Sequence, residues 1–361
     1  MEFEIPGDKR DLEKRLWKIG DILQTRYKPT EALSYYERAL TIREQLVTDL
    51  ETPKEKRDVE KRLWKIGDIL QSRGNHTEAL SYYKRALAIR EQLVTEFESS
   101  WDKQDLLIRL NNVGDILEAQ GKYAEAFSYY KRSLAIAEQL AEELKTPVAK
   151  QDLTVCLISV GDILEAQGKY AEALSYYEHS STISEQLSKE VRRPEVKQNL
   201  AMSLDRIGDI LKKQSRIDEA LSYYKRSLTI AEQLSTELWT FSAKQDLSIS
   251  LHRVGNTLKE QSKIDEALTY YERALSVDTL LARGLETPEA TFDVVIDLRN
   301  IGMILLQRNE YSKALETYQQ ALSHCKRLKD TCGTRRYELA HADMLKTVTD
   351  LQRKLNDSDG K

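Results

Sequence analysis

The chain has 361 residues, of which 40% are hydrophobic and 32% charged, with a formal net charge of −4 and a pI near 5.9. That balance suits long amphipathic helices rather than disorder. It lacks the basic excess of a general nucleic-acid binder, so nucleic acid is not an expected partner. No apolar run approaches the roughly 18 residues of a transmembrane helix, and no membrane partner is expected. Cys156, Cys325 and Cys332 are too few and too uneven for a disulfide framework and fit a reducing compartment. The start, Met1 to Pro6, has neither a basic nor an apolar run, so no signal peptide is expected and the location is read as cytoplasmic.

Residues 1–7 read as a tail. From residue 8 the chain repeats itself. Gly-Asp-Ile-Leu begins at Gly20, Gly67, Gly114, Gly161 and Gly208, each 47 residues after the last, and weaker copies follow at Gly255 and Gly302. A period of this size marks a solenoid of stacked units. Seven repeats result: 8–54, 55–101, 102–148, 149–195, 196–242, 243–289 and 290–336.

The second repeat shows the internal plan. Val59, Leu63, Ile66, Ile69 and Leu70 recur at spacings of three and four, one face of a helix. Ser72 to His76 breaks the pattern, and Thr77 is the expected N-cap of a second helix running through Ala79, Leu80, Tyr83, Leu87, Ile89 and Leu93. Thr52-Pro53, Thr146-Pro147, Arg193-Pro194 and Thr287-Pro288 stop helices between repeats. Each repeat is thus a hairpin of two helices, expected to be roughly four to five turns each.

Three columns read as core. They are Leu16, Leu63, Leu110, Leu157, Leu204, Leu251 and Leu298; then Ile19, Ile66, Val113, Val160, Ile207, Val254 and Ile301; then Ala32, Ala79, Ala126, Ala173, Ala220, Ala267 and Ala314. The small residues mark a close helix approach, as does the Gly column. Adding one period gives Leu345, Val348 and Leu351 within residues 337–355, an eighth first-helix expected to cap the last core face, followed by a polar tail at 356–361.

With Leu63, Ile66, Gly67 and Leu70 in the first helix and Ala79, Tyr83 and Ala86 in the second, the unit resembles the tetratricopeptide repeat. It is longer than the usual repeat of about 34 residues, and Leu fills the bulky first slot where that family has Trp. Leu110 to Gly114 followed by Gly121 to Ala126 is similar to the longer repeats of kinesin light chains and bacterial signalling proteins. The resemblance implies an all-α, right-handed solenoid whose first helices line a concave groove for a peptide or protein partner. It implies no cofactor and no catalysis, and a homo-oligomer is compatible with it. The alternative is a regulatory or sensor subunit controlling an effector enzyme such as a protease or NTPase.

First-helix residues three and six before the Gly, and one and four after it, are expected to face that groove. Three before stand Trp17, Trp64, Asn111, Ile158, Asp205, His252 and Arg299, a column that changes almost every time, with Asn112 beside it. Divergence among otherwise similar repeats points to ligand specificity, against neutral drift on a solvated face. Six before stand Lys14 and Lys61, then Ile108, Val155, Met202, Ile249 and Ile296. These apolar residues form a groove stripe or are buried against the preceding repeat. One after stand Asp21, Asp68, Asp115, Asp162 and Asp209. These carboxylates attract basic ligands or pair one turn back, as Lys18 with Asp21. Trp17 and Trp64 are expected to form one outward pocket wall.

The paired tyrosines, Tyr35-Tyr36 through Tyr270-Tyr271, read as packing rather than as a base-stacking platform. His324, Cys325, Cys332 and His341 match no zinc spacing, so no metal is expected. The sequence carries no phosphate-binding glycine loop and no nucleophile elbow.

Overall fold

The computed structural model describes the backbone of residues 6–50 and 52–359 and the side chains of 8–46 and 52–356. Among these residues all regular structure is helical. The helices are α1 (Pro6–Thr25), α2 (Pro29–Leu50), α3 (Pro53–Ser72), α4 (His76–Phe97), α5 (Ser100–Ala119), α6 (Tyr123–Leu144), α7 (Pro147–Ala166) and α8 (Tyr170–Glu190). They continue as α9 (Pro194–Lys213), α10 (Ile217–Leu238), α11 (Phe241–Glu260), α12 (Ile264–Leu285), α13 (Pro288–Gln307), α14 (Tyr311–Cys332) and α15 (Arg335–Asp359). Two compact units divide the chain, Met1–Ile183 and Ser184–Lys361. Within each, helices consecutive in sequence pack on one another, the arrangement of an all-α solenoid.

The helices are longer than expected. First helices have 20 residues and most second helices 22, about six turns at 3.6 residues per turn. The prolines begin helices rather than only ending them. Pro53, Pro147 and Pro288 occupy the first turn, where a missing N–H costs nothing. The preceding Thr52, Thr146 and Thr287 accept hydrogen bonds from the amides of Glu55, Ala149 and Ala290 at 3.4, 3.3 and 3.3 Å. Thr77 lies inside α4, which Asn75 precedes without a side-chain cap.

Inside each hairpin the chain reverses through one left-handed residue. In the second hairpin this is Gly74, at φ 80°, and the Asn75 amide closes the turn on the Leu70 carbonyl at 2.9 Å. Four hairpins place Tyr27, Ser215, Ser262 or Asn309 at the equivalent position, so glycine is favoured there but not required.

The two ends of the chain separate the core columns. Leu16 is buried although no described helix precedes α1, whereas Ile19 is exposed. In α15 the pattern inverts: Val348 is buried and Leu345 is exposed. The Leu column therefore packs within its own hairpin, and the Ile/Val column packs on the hairpin before. Leu345 is a correction to the expected capping set, because no described helix packs over it. Tyr337, Met344, Val348 and Leu351 make the buried face instead. This helix extends to Asp359, through most of the expected polar tail; the remainder of that tail, and residues 1–5, lie outside the described residues.

Candidate functional site

The Gly-Asp pair of each first helix is explained by a tyrosine of the second. The rings of Tyr36, Tyr83, Tyr130, Tyr177, Tyr224, Tyr271 and Tyr318 are buried against the seven glycines. A Cβ at Gly208 would stand 2.6 Å from Cε1 of Tyr224. A buried phenol needs a partner for its O–H. Tyr36 and Tyr83 donate to Asp21 and Asp68 at 2.8 Å, and Tyr130, Tyr177 and Tyr224 donate to Asp115, Asp162 and Asp209 at 2.6 Å. Asn256 accepts from Tyr271 at 2.7 Å, so the position needs an acceptor more than a charge.

Two ion pairs of this column reach across repeats. Lys65 meets Asp21 at 2.5 Å and Arg253 meets Asp209 at 2.6 Å. Burial opposes charge on Asp21, but Lys65 and Tyr36 outweigh it and hold the carboxyl below its usual range. At Asp115 burial wins, and the carboxyl is raised despite the Tyr130 bond.

The variable column does not simply face solvent. Six of its seven residues meet the next first helix, and four of them, Trp17, Trp64, Asn111 and His252, meet it at the position five before that helix's Gly. Arg62 lies over the Trp17 ring at 4.2 Å and Arg109 over Trp64 at 4.3 Å. Both tryptophans also sit 4.5 Å from the tyrosine of their own hairpin, Tyr36 or Tyr83. Trp64 is only 8% exposed, so the outward pair of anchors is corrected: the rings are sandwiched between repeats. Asn111 donates to Cys156 Sγ at 3.4 Å. Asp205 lies 3.7 Å from Arg253, His252 bonds to Asp297, and Arg299 lies 3.7 Å from Asp343. Ile158 is buried. The divergence thus follows neighbour-to-neighbour matching, a contact that one repeat viewed alone does not reveal.

Other candidates do reach the surface. Ile108, Val155, Met202, Ile249 and Ile296 are 36–47% exposed, which excludes burial of this column against the preceding repeat. Ile108 and Val155 occupy one helix position in the first unit; Met202, Ile249 and Ile296 occupy it in the second. Asn112, Asp68 and Asp115 border a pocket of about 220 Å³ together with Trp64, Gln71 and Tyr83.

Sequence reasoning missed two clusters. In the first unit Arg90 is fully buried and meets Glu60, Asp102 and Asp105 at 2.7, 2.9 and 2.8 Å. In the second unit His252, Asp278 and Asp297 converge from α11, α12 and α13, with ligand-type atoms within 4.8 Å of one another. They form the one grouping of at least three such side chains among the described residues, and Ser248 donates to Asp278 at 2.7 Å. Burial and the facing Asp297 push the Asp278 carboxyl up to about 7. For His252 burial favours the neutral ring, but the bond to Asp297 and its charge prevail and raise it. The signal available in sequence was the second-helix position holding Arg43, Arg90 and Asp278, where polar residues stand in a core column.

Tetratricopeptide-repeat family models match residues 105–186, 152–233, 199–279 and 246–327, and another matches 18–47 and 65–94. No curated protein matches the sequence. Among solved structures, BtubC (BKLC) from P. vanneervenii is similar at 18% identity and TM-score 0.56, covering 72% of this chain and 92% of that one. Aspartyl phosphate phosphatase F from Bacillus subtilis is 12% identical with TM-score 0.55, covering 98% and 95%. The S. pombe nuclear import adaptor Nro1 is 10% identical with TM-score 0.52, covering 81% and 99%. These likenesses are of fold. The family matches span more than half of the sequence and follow its 47-residue register. The chain belongs to the tetratricopeptide repeat family.

Proposed function

We propose that this protein is a non-catalytic interaction module that binds a peptide or protein segment along the faces of its first helices. The observation that carries the reading is the exposed apolar column Ile108, Val155, Met202, Ile249 and Ile296. Single exposed apolar residues are ordinary, but the same helical position kept apolar in five successive repeats is not scatter. Each unit contributes adjacent members, so within a unit an extended segment can meet one apolar contact per hairpin. Around them Asp68, Asp115 and Asn112 in the first unit, and Asp205 in the second, supply polar contacts that fix register. Trp17, Trp64 and Asn111 support this face from beneath by locking neighbouring first helices, and Ile158 is buried in the first unit. Asp21, Asp162, Asp209, His252 and Arg299 are engaged within the protein and tune the charge of the surface. The cytoplasm is the proposed location.

The test is affinity capture from the cells the protein comes from, comparing the wild type with the paired changes Ile108→Gln/Val155→Gln and Met202→Gln/Ile249→Gln. These positions are exposed, so the fold should survive. A partner retained by the wild type and lost from either variant is expected. Equal recovery on all three proteins would refute the apolar column as the binding face.

A further inference from the structure

The repeat lets one buried position be followed from hairpin to hairpin. Twenty-three residues after the Gly, on the second helix, stand Arg43, Arg90, Ala137, Ser184, Ala231, Asp278 and Cys325. Arg43 and Arg90 fill this space with guanidinium groups and carboxylates meet them. Arg43 binds Glu13 at 2.9 Å and lies 4.0 Å from Asp58. Arg90 binds Glu60, Asp102 and Asp105. In the fifth hairpin the residue is Ala231, and Ser250 stands where Arg109 stands three repeats earlier. The volume of two arginines is removed. A carboxylate is retained: Asp246 is the equivalent of Asp105, and Asp205 occupies the place of Trp64.

The result is a pocket of about 350 Å³ between α9, α10 and α11, lined by Ala231 and Ser250, by the exposed apolar residues Met202 and Ile249, and by Asp205 and Asp246. These two aspartates are its only charged lining residues. Oδ1 of Asp205 is buried with no hydrogen-bond partner. Oδ2 has Arg253 at 3.7 Å, but that guanidinium is already bound to Asp209 at 2.6 Å. Asp246 makes no hydrogen bond or ion pair among the described residues. Burial raises the Asp205 carboxyl to about 6, although Arg253 and Ser227 pull it down.

We propose that this pocket receives an arginine side chain from the bound partner segment, its guanidinium between Asp205 and Asp246, in the space that Arg90 fills from within the protein in the second hairpin. The planar fork of arginine can serve two carboxylates at once, which a lysine ammonium does less well. The apolar neighbours of that arginine rest on Met202 and Ile249. The proposal rests on the reading of the first-helix face as the binding face and names the chemistry of its occupant.

A random 12-residue peptide library displayed on phage tests it by selection on the full chain. Peptides selected on the wild type should share an arginine flanked by apolar residues. Citrulline in its place should weaken binding at least about tenfold and lysine by less, since a charge-assisted bond is lost. Asp205→Asn should weaken the arginine peptides similarly. Ala231→Arg, which restores the internal side chain, should abolish their binding while keeping a wild-type or higher Tm. Equal binding of arginine and citrulline peptides overturns the arginine pocket, as does unchanged binding to both folded variants. If such peptides still lose affinity with Met202→Gln/Ile249→Gln, the face reading survives that failure. If selected peptides ignore those changes, or none are selected, the face reading falls and the pocket proposal with it.

Discussion

Gly208→Ala and Gly255→Ala make one substitution at equivalent positions of neighbouring repeats, in the same compact unit and at different packing distances. A Cβ at Gly208 would stand 2.6 Å from Cε1 of Tyr224 and 2.9 Å from two further ring atoms. At Gly255 the corresponding distances to Tyr271 are 3.1, 3.4 and 3.4 Å. Both rings are buried, so neither can swing away freely. Replacing glycine by alanine inside a helix contributes about 1 kcal/mol of stability through backbone entropy and propensity. Overpacking a filled core costs about 1–3 kcal/mol. At Gly208 the overlap is severe and the Tyr224 ring must shift, straining its 2.6 Å bond to Asp209. The balance there is a loss of about 1–2 kcal/mol. At Gly255 a shift of a few tenths of an ångström suffices, and the terms come close to cancelling. Urea titration followed by helical circular dichroism reads both midpoints. Gly208→Ala should cost less in a Tyr224→Leu background than in the wild type, because the ring it clashes with is gone. A Gly208→Ala midpoint equal to or above that of Gly255→Ala would refute the account of the glycine column.

Trp64→Ala should destabilise the first unit by about 3 kcal/mol, as expected for a buried ring, seen as an earlier urea transition. An unchanged transition would return Trp64 to the role of an exposed anchor. Stability of the second unit should fall as pH rises. Asp278 titrates near 7 when folded against an ordinary value of about 3.9, so the folded state holds the extra proton between these values, and stability is lost across that interval. His252, raised when folded, adds a stabilising charge that is fully present below about 6.5 and lost as pH climbs through its folded value. The Tm should therefore be higher at pH 5 than at pH 8, and Asp278→Asn should flatten the profile between pH 5 and 7; an equally steep profile in that variant would count against the cluster. Removing residues 337–361 should lower the Tm and promote self-association in gel filtration, since Tyr337, Met344, Val348 and Leu351 cover the face of α14. A truncated chain that melts and elutes like the intact one would contradict this.

The sequence by itself determined the hairpin, because its causes are local and repeated seven times. Leucines at spacings of three and four set the first-helix face, alanines admit the second helix, and the break at residues 72–76 places the turn. It did not reveal which neighbour each column meets. Gly20-Asp21 and Tyr36 are 15 or 16 residues apart in sequence, and only the packing of α1 on α2 makes one the seat of the ring and the other the acceptor of its hydroxyl. Likewise in the column Trp17 to Arg299 several residues answer side chains one repeat on: Arg62 for Trp17, Cys156 for Asn111, Asp297 for His252. A one-dimensional pattern records that a position changes. Whether it changes for a ligand or for a neighbour depends on contacts some 45 residues away in sequence, and the tertiary structure supplies those.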